Sequence, residues 1–381
     1  MKIVFLSNFM NHHQLPLCEA LHRLTGGDFT FVATTPVPQE RLDFGYADMN
    51  QTCPFVLRAY QGEREKRKAL ALAKEADVVI HGSAPWEFLK ERLASKKLTF
   101  LYSERLYKTG FQYWKWPVRL WRHFWRFGRH KNLFLLCASA YTAYDYSRTR
   151  TFLGKTYKWG YFPAVQTYDV EALLERKSPR NILWAGRFLD WKHPEDVIEV
   201  AQRLRAEGYA FRMTMLGNGE LLEKTRQQVA QLGLEDAVSL LGAVPADTVR
   251  SYMEEAGIYL FTSDRNEGWG AVLNESMNSG CAVVACNAIG SVPFLIRDGE
   301  NGLTYDNGEV AQLYIHVKTL LDGPEKSRAL GRKAYETMAG QWNADEAAQR
   351  LLALSEALLQ GKQQPSLYEE GPCSKAYISK G

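Results

Sequence analysis

The chain has 381 residues, of which 46% are hydrophobic and 24% charged. That is an ordinary globular balance, long enough for two or three domains and for a core that needs no metal or disulfide staple. Collagen-like, rod-like and wholly disordered chains are excluded. The net charge of +4 is too small to argue for nucleic acid. Cys18, Cys53, Cys137, Cys281, Cys286 and Cys373 form no CxxC pair and read as reduced thiols of a cytosolic protein. No apolar run approaches the length of a membrane span. The opening MKIVFLSNFMNHHQ reads as a first buried strand rather than a signal peptide. A cytoplasmic location is expected, with peripheral contact at the inner face of the plasma membrane left open.

Short apolar runs alternate with amphipathic helical patterns, which predicts parallel sheets covered by helices. In the first half the predicted strands are 2–7, 29–34, 77–81, 98–102 and 133–138, with helices at 14–25 and 63–75. In the second half they are 181–186, 211–216, 237–241, 258–262, 282–286 and 302–305, with helices at 194–207, 220–233 and 246–256. The stretch 163–180 holds two prolines and a charge cluster and separates the halves. The expected fold class is α/β, as two facing Rossmann-like doubly wound domains with a cleft between them. The expected divisions are an acceptor domain at 1–165 and a donor domain at 166–342. A closing helix at 343–360, which can pack back on the first domain, and a flexible tail at 361–381 follow.

Ligands of open parallel sheets bind beyond the carboxyl ends of the strands. After strand 181–186 come Gly186, Arg187 and, ahead of a helix start at Pro194, Lys192. Two cations beside a helix N-terminus suit a diphosphate; alternatively they are solvated surface charges. After strand 258–262 comes SDRNEGWGAVLNE, with Glu267 in the loop and Glu275 in the following helix. Two carboxylates can grip the hydroxyls of two sugars, and Gly268 and Gly270 let a ligand approach the backbone. Alternatively Glu275 is an exposed helical acid and Glu267 a helix cap.

These residues resemble the Glu-x7-Glu element of retaining GT-B glycosyltransferases. This is the group 1, family-4-like class of bacterial polysaccharide assembly, which includes phosphatidylinositol mannosyltransferases. Gly186-Arg187 with Lys192, the turn Leu216-Gly217-Asn218-Gly219, and the run from Asn278 through Pro293 to Leu303 are similar to further elements of that family. The resemblance covers about 180–305 densely. It implies that Arg187 and Lys192 hold the donor diphosphate and that Glu275 binds the ribose. Glu267, with the amides of Gly268, Trp269, Gly270 and Ala271, would bind the transferred sugar. Gly186, Gly217, Gly242, Val244 and Val272 would complete the donor site, with the loop 241–244 against the base. Phe294 stands where the family often has an acid, and Trp269 where it usually has phenylalanine. No Asp-x-Asp triplet and no zinc-like Cys/His spacing occurs, so neither metal nor cofactor is expected and cations take the metal's place.

In the first half His12 and His13 follow the first strand, His81 ends the third and Glu104 follows the fourth. All four are candidate acceptor-binding residues. One histidine capping a helix, and Glu104 in a salt bridge to Arg105 or another neighbour, are the structural alternatives. The stretch 105–131 holds eight Lys/Arg, nine aromatics and no acid. On a helical wheel Arg119, Arg122, Arg126 and Arg129 share a side with His123 and His130, while Leu120, Trp121, Phe124, Trp125 and Phe127 cover the other. Arg119, Trp121, Arg122, Trp125, Arg126 and Arg129 are therefore candidates for facing anionic lipid. The alternatives are an aromatic side packed into the domain, or single-stranded nucleic acid, for which no recognised module is present.

The expected function is a retaining hexosyltransferase moving a sugar from a UDP- or GDP-sugar to an acceptor hydroxyl, in bacterial surface polysaccharide or lipid-linked glycan synthesis. The partners would be the donor, a glycan or lipid-linked acceptor and an anionic membrane surface, without nucleic acid. A GT-B epimerase or hydrolase, or a noncatalytic sugar-nucleotide sensor on the membrane, would carry many of the same residues.

Overall fold

The computed structural model describes residues 1–39, 42, 47–108 and 113–378. It divides into two compact units. One comprises Met1–Ala164 and the chain from Asn343 onward; the other is Val165–Trp342.

The first unit holds strands β1 (Ile3–Ser7), β2 (Phe29–Ala33), β3 (Val56–Arg58), β4 (Val78–His81), β5 (Thr99–Ser103), β6 (Leu133–Cys137) and β7 (Thr156–Lys158). They form one sheet in the order β3-β2-β1-β4-β5-β6-β7, every pair parallel. The second unit holds β8 (Ser178–Ala185), β9 (Arg212–Leu216), β10 (Val238–Gly242), β11 (Ala256–Phe261), β12 (Ala282–Cys286) and β13 (Leu303–Tyr305). Their order is β10-β9-β8-β11-β12-β13, again all parallel. Each order reverses once, between β1 and β4 and between β8 and β11. Those are the topological switch points, where loops diverge and leave a crevice.

The apolar runs become central strands because parallel sheets are covered on both faces. Val4, Leu6, Val32 and Val79 pack against Ala69 and Ala73 of the helix Glu63–Glu75 and against Phe88. Strands β3 and β7 have no counterpart among the predicted elements. Both are three-residue edge strands, too short for a periodic signal.

A buried cation closes one helix in each unit. The Arg92 guanidinium, fully buried, donates to the carbonyls of Ala73 (3.0 Å), Ala76 (2.6 Å), Asp77 (2.9 Å) and Leu98 (2.6 Å). These include carbonyls that end the helix Glu63–Glu75. Lys177 Nζ donates to Met253 O (2.7 Å) and Ala256 O (2.8 Å) at the end of the helix Ala246–Glu255. Both satisfy otherwise orphaned carbonyls at the negative end of a helix dipole.

The tail departs from the expected flexible segment. Cys373 and Ser374 are buried, and the backbone pairs with the outer edge of β7 through Cys373 N to Lys158 O (2.8 Å), Lys158 N to Ser374 O (2.8 Å) and Ala376 N to Thr156 O (3.1 Å). Tyr157 Oη donates to Pro365 O at 3.0 Å. An edge strand leaves unpaired backbone groups, and the low-complexity tail satisfies them with its backbone, which composition does not reveal. Residues 379–381 lie outside the described residues.

The aromatic, basic stretch also departs from a single two-faced helix. It is a 3-10 turn at Tyr113–Lys115, an α-helix at Trp116–His123 and a π-helical turn at Phe124–Gly128. Residues 109–112 lie outside the described residues. His123, expected on the arginine side, is buried, with Nδ1 at 3.0 Å from Thr149 Oγ1. Trp121, Phe124 and Trp125, expected together on the opposite side, are exposed, as are Arg122, Arg126 and Arg129. Trp121 and His123 lie within the regular α-helix, so tertiary packing such as His123 against Thr149, not the apolar pattern, decides which side is covered there; the π-turn changes the angular step only from Phe124 on.

Candidate functional site

In the second unit the donor-site candidates gather at the switch point. Arg187 and Lys192 lie on the loop after β8, and Glu267 on the loop after β11. Because β8 and β11 are neighbours, Lys192 Nζ and Glu267 Oε2 meet in an ion pair, each side chain about one-eighth exposed. Ser263 Oγ donates to the same carboxylate oxygen at 3.2 Å. The Lys192 ammonium also lies 4.5 Å from the Trp191 ring centre. Its backbone is tied to β11: Thr262 Oγ1 donates to Lys192 O (2.6 Å), Asp264 N to Trp191 O (3.0 Å), and Trp184 Nε1 to Thr262 Oγ1 (2.9 Å). The guanidinium of Arg187 is exposed and makes no ion pair among the described residues.

Two glycines permit this packing. Gly217 has φ +132°, and a Cβ there would sit 1.8 Å from Gly186 O. Gly270 has φ +80°, and its Cβ would meet the Phe261 ring at 2.3 Å. The loop from β10 is drawn to the same end of the sheet by Gly217 N donating to Gly242 O (2.8 Å), with Val244 two residues on.

Glu275 lies on the helix Val272–Asn278, half-buried. Burial pushes its carboxyl above the usual value, and the charge of Arg250 opposes the shift. Arg250 braces that helix through Glu275 O (3.1 Å), Asn278 Oδ1 (3.0 Å) and Ser279 Oγ (3.2 Å). A carboxylate deprived of water gains by accepting hydroxyl donors.

Trp269, assigned by its backbone amide, keeps its side chain for packing. Its side chain is buried, its Nε1 donates to Asn274 Oδ1 at 2.9 Å, and its ring packs near Phe294 and Trp342. It anchors the glycine loop from behind, and only its backbone remains for a ligand. Phe294, where an acid was the family pattern, belongs to this aromatic packing. Ala271 is buried with it, and Gly268 and Val272 continue the loop into the helix.

His193 Nδ1 lies 2.9 Å from Glu195 Oε1, and with Asp196 these donor atoms lie within 4.8 Å of one another. Imidazole and carboxylate already satisfy each other there. Burial raises the Asp196 carboxyl to about 6.

In the first unit a cavity of about 430 Å³ lies at the switch point, lined by Gln14, His81, Ser83, Ser103, Glu104 and Tyr161 among others. His81 is buried. Its Nε2 lies 3.4 Å from Pro85 O, and its Nδ1 has no hydrogen-bond partner among the described residues. Burial lowers its pKa to about 4, so the imidazole is neutral. Glu104 pairs not with Arg105 but with another neighbour, Lys108. It accepts from Tyr161 Oη (2.5 Å) and Lys108 Nζ (2.8 Å), while Arg105 faces Asp145 at 3.8 Å. The rings of His12 and His13 lie 3.7 Å apart, and His13 stacks at 6.1 Å on Tyr161. The turn before the first helix is made by Asn11, whose Oδ1 accepts from His13 N and Gln14 N, and not by a histidine. Tyr161, Lys108, Ser263 and Arg250 carry no sequence signal that marks them; only proximity reveals them.

Two tandem parallel α/β units, each with its polar residues at the strand carboxyl ends, define the GT-B class of fold. HepE of Anabaena, solved with UDP, has this fold, with a TM-score of 0.71 at 16% identity over 94% of this chain and 100% of that one. Sucrose-phosphate synthase of Thermosynechococcus elongatus gives 0.66 at 16% identity over 95% and 100%. Residues 166–337 match the family model "Glycosyl transferases group 1", and the second unit is a domain of that family. Among curated relatives, the amylovoran biosynthesis glycosyltransferase AmsK of Erwinia amylovora is 30% identical over 150 residues, 38% of this chain and 37% of its own length. A GDP-mannose-dependent phosphatidylinositol monomannoside mannosyltransferase of Mycobacterium tuberculosis is 27% identical over 155 residues, 39% and 40%. The chain thus spans less than half the length of the curated relatives it matches. No helix among the described residues is long and apolar enough to cross a membrane.

Proposed function

We propose that the protein is a retaining glycosyltransferase that moves a sugar from a nucleotide-sugar to an acceptor hydroxyl in bacterial surface polysaccharide or lipid-linked glycan synthesis. The observation that carries this reading is the meeting of Lys192 and Glu267 at the β8/β11 switch point, with Arg187 on the same loop as Lys192 and Glu275 one helix further on. The likeness to AmsK and to the mannosyltransferase supports the class, and the UDP bound to HepE supports a nucleoside diphosphate donor.

On this reading Arg187 and Lys192 stabilise the charge that develops on the departing diphosphate, in a site where preorganised cations act strongly. No metal is assigned a part, since these two cations hold the diphosphate oxygens. Glu275 receives the ribose hydroxyls, and Glu267 with the amides from Gly268 to Ala271 holds the sugar. The sugar transfers on the face the diphosphate leaves, and the leaving oxygen accepts the acceptor's proton. The 430 Å³ cavity receives the acceptor, with neutral His81 and Glu104 as hydrogen-bonding groups. The exposed Trp121, Phe124 and Trp125 beside Arg122, Arg126 and Arg129 suit peripheral contact with an anionic membrane.

A thermal-shift panel of nucleotides and nucleotide-sugars tests the donor site, because a bound ligand stabilises by mass action. Stabilisation by one sugar-nucleotide class, followed by transfer with the α or β configuration kept in the product NMR spectrum, is expected. Donor consumption without acceptor at the full rate would instead mean hydrolysis or epimerisation.

A further inference from the structure

In the first unit a second chemical feature occupies the end of the sheet opposite His81 and Glu104. All its strands run parallel, so residues just ahead of them gather at the rim of strand amino ends. Lys96 and Lys97 precede β5, Lys131 precedes β6 and Lys155 precedes β7. With Arg129 and Lys362 they line two adjoining cavities of about 590 and 680 Å³, which share Lys96, Lys97 and Lys131. Asp77 is the one acid among the lining residues, and its Oδ2 accepts from the backbone nitrogen of Lys2 at 2.8 Å. Six cations thus face one carboxylate in a chain whose net charge is only +4.

Ion pairing does not account for the cluster. Lys97 Nζ donates to Glu75 O (2.6 Å), and Lys155 Nζ to the carbonyls of His130 (3.2 Å) and Lys131 (2.7 Å). No carboxylate pairs with any of the six among the described residues. Burial lowers the Lys155 pKa, and the charge of Lys131 adds to that shift; burial, Arg129 and Lys155 do the same to His130. The floor of the larger cavity is apolar, made by Phe134, Leu358 and Leu359. Arg129 joins the cluster to the aromatic surface, because its guanidinium lies 5.1 Å from the Trp125 ring centre and also lines the smaller cavity.

We infer that this rim is a docking site for anionic phospholipid headgroups: Lys96, Lys97, Lys131 and Lys362 receive bilayer phosphates while Trp121, Phe124 and Trp125 enter the interface. The inference rests on the membrane reading above and extends it to Lys96, Lys97 and Lys362, outside the 113–131 segment. Cations over an apolar floor, continuous with exposed indoles, match the layering of a bilayer surface. The carboxyl ends of the strands lie at the other end of the sheet, so lipid contact leaves the His81 cavity open.

The test compares the full chain with the variant Lys96→Gln, Lys97→Gln, Lys131→Gln, Lys362→Gln in co-sedimentation with vesicles of phosphatidylcholine alone or mixed with phosphatidylglycerol. At about 1 kcal/mol per lysine near an anionic surface, the variant should bind the mixed vesicles on the order of 1,000-fold more weakly. Its melting temperature and nucleotide affinity should stay at wild-type values. A variant that binds as wild type, while Arg122→Gln, Arg126→Gln with Trp121→Ala, Trp125→Ala loses binding, overturns the lysine site and leaves the membrane reading standing. A wild type that ignores both vesicles overturns both. Lysine-dependent binding of single-stranded RNA without vesicle binding also overturns the proposal.

Discussion

Lys192 and Glu267, 75 positions apart, form a partly buried ion pair where β8 and β11 end side by side. Each satisfies the other's charge before any donor arrives, so the cation is held in place at little desolvation cost. Lys192→Ala removes both the cation proposed to face the leaving diphosphate and the partner of Glu267. Arg187→Ala removes a charge that makes no ion pair among the described residues. Turnover should fall on the order of 100-fold or more in each. Thermal stability should fall only in the first. Initial rates and melting curves measure both, and wild-type rates in the two variants would refute the clamp.

Glu275→Gln should act in opposite directions on stability and affinity. The folded carboxyl titrates above its unfolded value because burial disfavours its charge. Its contribution to stability is therefore fully present below the ordinary glutamate range and is lost as pH rises through the raised folded value. Without ligand, the variant should melt higher than wild type at pH 8, and the gap should close toward pH 4. Nucleoside diphosphate affinity, measured by calorimetry, should weaken; an unchanged dissociation constant would remove Glu275 from the ribose site.

Gly270→Ala places a methyl group 2.3 Å from the Phe261 ring at a positive φ. Backbone strain of this kind costs about 1–3 kcal/mol, and the displaced Phe261 and Glu267 should lower kcat as well. Denaturant unfolding gives the first quantity and steady-state kinetics the second. Equal stability would mean that the loop adapts without strain.

Removing residues 365–381 should uncover the outer edge of β7 and leave the backbone groups of Thr156 and Lys158 without their partners. The truncated chain should melt lower and self-associate, since an open edge strand pairs with other chains. Light scattering reads the association, and a monodisperse product melting as wild type would show the tail to be dispensable.

Where the candidate site residues fall in the fold was largely legible because their markers are local. Apolar runs flanked by Gly186-Arg187 or by Glu267-Gly268 place those residues at strand ends wherever the strands lie. The burial of the Trp269 indole against Phe294 and Trp342 was not legible, since two flanking glycines say nothing of what packs behind the loop. The faces of the helical stretch 116–128 were misassigned because the side that packs inward is set by contacts distant in sequence, such as His123 with Thr149, and the π-turn that follows leaves no mark in the hydrophobic pattern.

The linear chain by itself determined the alternation of strands and helices and which polar side chains follow each strand, since periodicity and turn chemistry act over a few residues. Tertiary structure alone decided that β8 lies beside β11, that Arg92 and Lys177 close helices from within, that the tail seals β7, and that the lysines before β5, β6 and β7 share one rim. Those outcomes depend on strand order, and strand order is set by packing between segments tens of residues apart, which no short window of sequence encodes.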